Sequence, residues 1–87
     1  MLKLRAEDLE FREIDGEVVA LDLRTSSYIG VNQTGGALWP LLQQGTDEPA
    51  LVRHLVERFG VAESVAQDDV RRFIDDLQAR GLLTEMT

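Results

Sequence analysis

The hydrophobic pattern of this chain changes its period once, near Asn32, and this change constrains the fold more than any other feature. Before Asn32, apolar and charged residues alternate with the period of two that is typical of half-buried strands. After it, apolar residues recur at the three- and four-residue spacing of helices. Strands followed by helices predict an α+β fold, with the helices gathered on one side of a small antiparallel sheet.

The strand block, residues 9–31, predicts a three-stranded meander. Asp15-Gly16 is the signal for a type I′ turn between the first and second strands. The third strand is short and covers residues 28–31. In the second strand two sets of side chains alternate, so one face should be buried in the core and the other exposed to solvent. One set is Val19, Leu21 and Leu23, and the other is Ala20, Asp22 and Arg24.

The first predicted helix is dense in apolar residues and should be largely buried. Asn32 or Thr34 can cap its start. Pro40 falls inside it, and proline removes a backbone hydrogen bond and clashes with the preceding turn. The sequence therefore predicts either a kink or a helix that begins late.

Two more helices follow. The 45–49 segment should end the first helix and cap the second, which ends at Gly60. The third helix is expected from Ser64 or Gln67 to Arg80, with Gly81 as its terminator, and Leu82 and Leu83 should then fold back onto the core.

Length and charge limit the classes of function. The 87 residues suit a single domain spanning 1–87, and the chain has no cysteine and a net charge of -7. Such an acidic chain is poorly suited to phosphate backbones or anionic lipids, so we expect neither a nucleic-acid nor a membrane partner. The start of the chain lacks the long apolar stretch of a signal peptide, and we expect a cytoplasmic protein.

No pattern of residues indicates catalysis, a cofactor or a metal. His54 is the only histidine and has no cysteine or spaced acid to complete a zinc site. The aspartate pairs at 68–69 and 75–76 favour a solvated helix face over a cation site. Residues 34–36, Thr-Gly-Gly, lack the Lys-Ser/Thr pair of phosphate-binding loops.

The remaining candidate is the outer edge of the third strand. It carries no proline or lysine to guard it, and no fourth strand follows. The third helix could cover this edge. Alternatively, the helix could stand beside it, so that an incoming peptide gains backbone hydrogen bonds from the strand and pockets from the helix. In the second case Ile29→Pro would remove a donor and weaken peptide binding, whereas Ser26→Ala would do little.

Two stretches of the chain resemble the PqqD-like family. The first contains Asn32-x-Thr-Gly-x-x-x-Trp39, and the second ends in Leu77-x-x-x-Gly-Leu-Leu83. The resemblance covers nearly the whole chain. It implies a winged-helix-like fold and a non-catalytic protein that binds the leader of a ribosomally made precursor peptide.

The resemblance also implies a site. The leader would dock antiparallel to the third strand and against the third helix. The implied strand contacts are Tyr28, Ile29, Gly30 and Val31, and the implied helix contacts are Val70, Arg71, Phe73, Ile74 and Leu77. Asp69 and Asp76 could pair with lysines of the leader.

Within the family, the chain looks most like the leader-binding protein of lasso-peptide biosynthesis. This likeness implies that a separate leader peptidase and a cyclase work beside the protein. We expect the protein itself to be a monomer. A chaperone for the precursor of a quinone cofactor is the alternative within the family. Outside it, the alternatives are a winged-helix nucleic-acid binder and a structural subunit that dimerises through the third strand.

Overall fold

The structure, a computed structural model, describes residues 1–85. Its strands are β1 (Leu2–Leu4), β2 (Leu9–Ile14), β3 (Glu17–Asp22), β4 (Ser27–Val31) and β5 (Leu83–Glu85), and its helices are α1 (Gln33–Gln44), α2 (Glu48–Phe59) and α3 (Glu63–Ala79). The predicted meander corresponds to β2, β3 and β4. The α+β class is confirmed, and the three-stranded meander precedes the three helices as predicted, although β5 follows α3.

Strands β2, β3 and β4 form an antiparallel sheet in that order. The first hairpin closes at the pair Ile14 and Glu17, and Asp15 and Gly16 between them have φ angles of 53° and 83°. Two successive positive φ angles are the signature of a type I′ turn, so the turn predicted from Asp-Gly is confirmed.

The less apolar face of β3 is the one that packs into the core. Val18, Ala20 and Asp22 are 2%, 0% and 3% exposed, whereas Val19 is 40% exposed. The alternation is confirmed, and the set that contains Ala20 and Asp22 forms the core face although the other set is the more apolar. Two observations explain the buried face: Ala20 pairs with Ile29 of β4 in the core, and the carboxylate of Asp22 has an internal partner in Arg5.

Helix α1 begins at its N-cap Asn32, whose side chain accepts a hydrogen bond from the N–H of Gly35 at 3.0 Å. Pro40 therefore lies inside a helix that does not begin late, which excludes one of the two alternatives. A β-carbon on Gly36 would come within 2.4 Å of the carbonyl oxygen of Gly16. Glycine at position 36 thus allows α1 to lie against the type I′ turn.

Helices α2 and α3 end where glycine was expected to end them. Gly60 caps α2 in the left-handed conformation, and Gly81 follows α3 with a φ angle of 71°. The N–H of Leu82 donates to the carbonyl of Leu77, which turns the chain back toward the core. Leu82 is fully buried, so its predicted return to the core is confirmed.

A second, two-stranded sheet joins the two ends of the described chain. Strands β1 and β5 pair antiparallel, with Leu4 opposite Leu83. Neither strand was predicted from the sequence. Arg5 follows β1, and its guanidinium lies 2.5 Å from the carboxylate of Asp22 on β3 while also donating to the carbonyl of Gly81. This arginine ties β1, the sheet and the end of α3 together.

One apolar core lies between the three-stranded sheet and the helices. Trp39 is 1% exposed, and the ring of Phe11 on β2 meets it edge-on, with ring centroids 5.6 Å apart. The core residues extend from β1 to the segment after α3: Leu4, Val18, Ala20, Ile29, Val31, Leu38, Trp39, Leu42, Leu51, Leu55, Ala66, Val70, Ile74, Leu77 and Leu82.

Candidate functional site

The direction of the backbone groups along β3 follows from the first hairpin. In an antiparallel ladder each residue points both its N–H and its C=O at one neighbouring strand, and the direction alternates along the chain. A two-residue turn closes on a hydrogen-bonded pair, here Ile14 and Glu17. The odd-numbered residues of β3 therefore bond to β2, and Val18, Ala20 and Asp22 bond to β4.

The same alternation assigns the free edge of β4. Val31, Ile29 and Ser27 lie opposite the β3 residues that point toward β4, so their backbone groups are used inside the sheet. Tyr28 and Gly30 must then direct their N–H and C=O groups away from the sheet. The outer edge of β4 offers two donors and two acceptors, spaced for a further strand.

This edge is open to solvent. Tyr28 is 74% exposed, and a β-carbon built on Gly30 would have no heavy atom within 4 Å. Within residues 1–85, β4 pairs only with β3. The alternative in which α3 covers the edge is therefore not observed, and a peptide groove formed jointly by this edge and α3 stays a prediction.

A cleft of about 380 Å³ lies beside the end of β4, between the start of α1 and one face of α3. A β-carbon on Gly35 would come within 2.5 Å of Cγ1 of Val31 and 3.0 Å of Cε1 of Phe73. The absence of that carbon lets Phe73 lie directly against the start of α1. The cleft is lined by Asn32, Thr34, Gly35 and Leu38 on one side and by Asp69, Arg72, Phe73 and Asp76 on the other.

Two carboxylates and one guanidinium give this cleft a net negative charge. The side chain of Arg72 donates to Asp69 at 2.7 Å, across one turn of α3. Asp76 is held by Arg80 at 3.2 Å, one turn further on. On the opposite flank of α3, Arg71 lies 2.6 Å from Glu48 of α2. Arg71, Arg72 and Arg80 are thus each paired with an acidic side chain. This pairing disfavours phosphate binding and the nucleic-acid alternative.

The residues that the resemblance implies as contacts divide into two groups. Tyr28 and Gly30 lie on the free edge, and Asp69, Phe73 and Asp76 lie in the cleft next to it. The other implied residues lie elsewhere: Ile29 and Val31 face the core from β4, Val70, Ile74 and Leu77 are at most 1% exposed, and Arg71 faces α2.

This placement affects what the second group can do. The side chains of Val70, Ile74 and Leu77 have no surface to offer a peptide in this structure, and they fix α3 against the sheet. The N–H of Ile29 points at β3, so Ile29→Pro would break the sheet itself, which corrects the reason given above for its effect. Direct contact of any of these residues with a peptide stays a prediction.

Sequence reasoning did not assign to the site five residues that line the cleft: Asn32, Thr34, Gly35, Leu38 and Arg72. Arg72 carried a signal, because it stands three residues from Asp69 and four from Asp76 and so shares their helix face. Gly35 carried only the general signal of a glycine within a helix, which indicates close packing without naming the neighbour.

The described residues hold little else that suggests chemistry. His54 is half-buried in a shallow hollow beside Pro40 and Phe59. Among residues 1–85, no three histidine or acidic side chains lie close enough together to hold a metal ion. No helix in that part of the chain has both the length and the apolar character needed to span a bilayer.

Comparison with known proteins gives consistent matches. The sequence model of a family described as Coenzyme PQQ synthesis protein D (PqqD) matches residues 17–83. A solved structure described as TbiB1 in complex with the TbiA(beta) leader peptide is 28% identical, with a TM-score of 0.85 over 98% of each chain. Another, lasso peptide synthetase B1 complexed with the leader peptide, is 21% identical and supports the fold, with a TM-score of 0.81 over 97% of this chain and 98% of that one. Among curated protein sequences, none matches significantly.

Proposed function

This chain belongs to the PqqD family, and from that premise we propose that it is a non-catalytic protein that binds the leader of a ribosomally made precursor peptide by adding it to β4. The observation that carries the proposal is the open outer edge of β4, with the backbone groups of Tyr28 and Gly30 directed outward beside a cleft. The leader-peptide complex of a protein 28% identical to this one supports it.

Strand addition provides affinity that depends little on the leader's sequence. An antiparallel leader strand would exchange up to four backbone hydrogen bonds with Tyr28 and Gly30. Each bond contributes roughly 0.5–1.5 kcal/mol net. The exposed ring of Tyr28 stands on the outer face of the sheet, where it would contact leader side chains on that face.

The cleft provides selectivity. Alternate leader side chains point toward α3, where Phe73 supplies apolar surface and Asp69 and Asp76 supply negative charge. We expect the leader to place an apolar side chain against Phe73 and a lysine near the two aspartates. The charged part of this recognition should weaken as salt is added, because the carboxylates are partly exposed.

The pathway we propose is lasso-peptide biosynthesis in the cytoplasm. The protein would hold the leader while a separate leader peptidase removes it and a cyclase closes the ring. The sequence resemblance to the leader-binding protein of lasso-peptide biosynthesis supports this pathway, and the leader-peptide complex of TbiB1 supports the capture step. The catalytic steps would belong to those partners, and this chain would contribute only capture and presentation.

The test is a fluorescence-polarisation titration of the purified protein with labelled leader peptides encoded near its own gene. Scrambled leaders of the same composition serve as controls. Saturable binding of one leader, with no binding of its scrambled form, is the expected result. If a folded protein binds none of the leaders, leader recognition is excluded.

The family description favours one second candidate, a chaperone for the precursor of a quinone cofactor. In that pathway the peptide would be delivered to a radical enzyme. The same titration separates the two candidates when a quinone-cofactor precursor is included in the panel. Tighter binding of that precursor than of any lasso leader would replace the lasso assignment and leave strand addition in place.

A further inference from the structure

The sheet has a second open edge, at β2, which the proposed leader site does not use. Residues 10–14 are all exposed, including Phe11 at 44% and Ile14 at 52%. Because the backbone groups of Ile14 bond to β3, the alternation directs the backbone groups of Arg12 and Glu10 toward β3 as well. Leu9, Phe11 and Glu13 therefore point their backbone groups away from the sheet, and within residues 1–85 β2 pairs only with β3.

We propose that this edge pairs with β2 of a second copy of this chain, antiparallel, with Phe11 on the two-fold axis. In this register Phe11 exchanges two hydrogen bonds with its copy, and Leu9 exchanges two with Glu13 at each end. On the outer face, Glu10 of each chain then lies directly opposite Arg12 of the other. These are non-hydrogen-bonded positions, where facing side chains approach most closely.

The charges select this register over its neighbours. Only registers that match outward-pointing residues to each other form hydrogen bonds, so the alternatives are shifted by two residues. One of them puts Glu10 opposite Glu10, and the other puts Arg12 opposite Arg12. Like charges directly opposite are destabilising. The register centred on Phe11 instead forms two identical Glu–Arg pairs, which is the self-complementarity that a two-fold interface requires.

The apolar side chains favour the same arrangement. Phe11 meets Trp39 edge-on and is otherwise partly exposed, at 44%. On the two-fold axis the two Phe11 rings would meet and cover each other. The result is a continuous six-stranded sheet with β4 at both ends, so that each copy keeps its leader edge free. This arrangement differs from the monomer expected from the sequence and from dimerisation through β4.

A charge-swap experiment tests the proposal. Sedimentation velocity at moderate ionic strength would follow wild type, Glu10→Arg and Arg12→Glu over concentrations reaching the high micromolar range. Each single variant places like charges opposite each other twice, so self-association should weaken about tenfold or more. An equimolar mixture of the two variants restores both opposite-charge pairs and should dimerise again.

Glu13→Arg is the matched control, because it changes the net charge as Glu10→Arg does but lies opposite Leu9. It should self-associate as the wild type does, and circular dichroism verifies that every variant is folded. A wild type that stays monomeric throughout would overturn the proposal. So would variants that associate as strongly as wild type, or a mixture that stays monomeric. Leader titration with Arg12→Glu should match wild type, which separates this interface from the proposed function.

Discussion

Phe73 lies against the backbone of Gly35, so closely that a β-carbon at position 35 would stand 3.0 Å from its Cε1 atom and 2.5 Å from Cγ1 of Val31. This contact joins the start of α1 to α3 at the floor of the cleft. The width of the cleft therefore depends on residue 35 being glycine. Two consequences for substitution at Gly35 follow, one for stability and one for leader binding.

Gly35→Ala should destabilise the protein by about 1–3 kcal/mol, the usual cost of overpacking, and should weaken leader binding because Phe73 is pushed into the cleft. Urea denaturation followed by the emission of the buried Trp39 gives the free energy of unfolding. Fluorescence polarisation gives the affinity. Gly36→Ala is a useful comparison, since it clashes with the carbonyl of Gly16 away from the cleft. Leader affinity equal to that of wild type in folded Gly35→Ala would contradict the assigned role of Phe73.

Substitutions at Gly30 separate backbone hydrogen bonding from side-chain effects. Gly30→Pro removes an outward-pointing donor, which an edge strand tolerates, and should weaken leader binding about tenfold, the value of one hydrogen bond. Gly30→Ala keeps the donor and places its β-carbon in open space, so its affinity should stay near that of wild type. Equal affinities for the two variants in a polarisation titration would exclude strand addition at this position.

Much of the fold could be predicted because its signals are local. The Asp15-Gly16 turn and the glycine after α2 depend on neighbouring residues and were identified correctly, and Asn32 was one of the two predicted caps of α1. The β1–β5 pair could not be found in this way. Its strands have three residues each and lie at opposite ends of the described chain, so no short-range pattern marks them.

The face of β3 and the details of the site depend on tertiary contacts. Asp22 is buried because Arg5 reaches it from β1, and no local pattern around Asp22 indicates such a partner. Likewise, the outward direction of Tyr28 and Gly30 follows from a register that is set by the first hairpin. The sequence indicated that β4 has a free edge, but only the register distinguishes Gly30 from its neighbour Ile29.

Ile74 and Phe73 are adjacent on α3 but should behave differently. Ile74 is 0% exposed, so Ile74→Ala should cost about 2–5 kcal/mol of folding free energy and leave the affinity of the folded protein unchanged. Phe73→Leu keeps an apolar side chain of similar bulk but loses the ring that lines the cleft. It should lose less stability and more affinity than Ile74→Ala. A folded Ile74→Ala protein with a large loss of affinity would instead support direct peptide contact by Ile74.

The ion pair between Asp22 and Arg5 predicts how stability depends on pH. The hydrogen bond from the Arg5 guanidinium, with help from the N–H of Arg24, holds the pKa of Asp22 below its ordinary value. The folded state therefore binds this proton less readily than the unfolded state, whose pKa is about 3.9. The stabilisation is fully present above that value and is lost as the pH falls through the lower folded pKa.

Asp22→Asn removes the titrating group, so the difference in unfolding free energy between wild type and variant should be constant near neutrality and shrink below about pH 4. Urea denaturation from neutral pH to about pH 3 measures the gap. Asp8→Asn is the control, because its exposed pair with Arg24 should contribute at most about 1 kcal/mol. A gap between wild type and Asp22→Asn that does not change with pH would mean that Asp22 contributes through packing and hydrogen bonds alone, without a contribution from its charge.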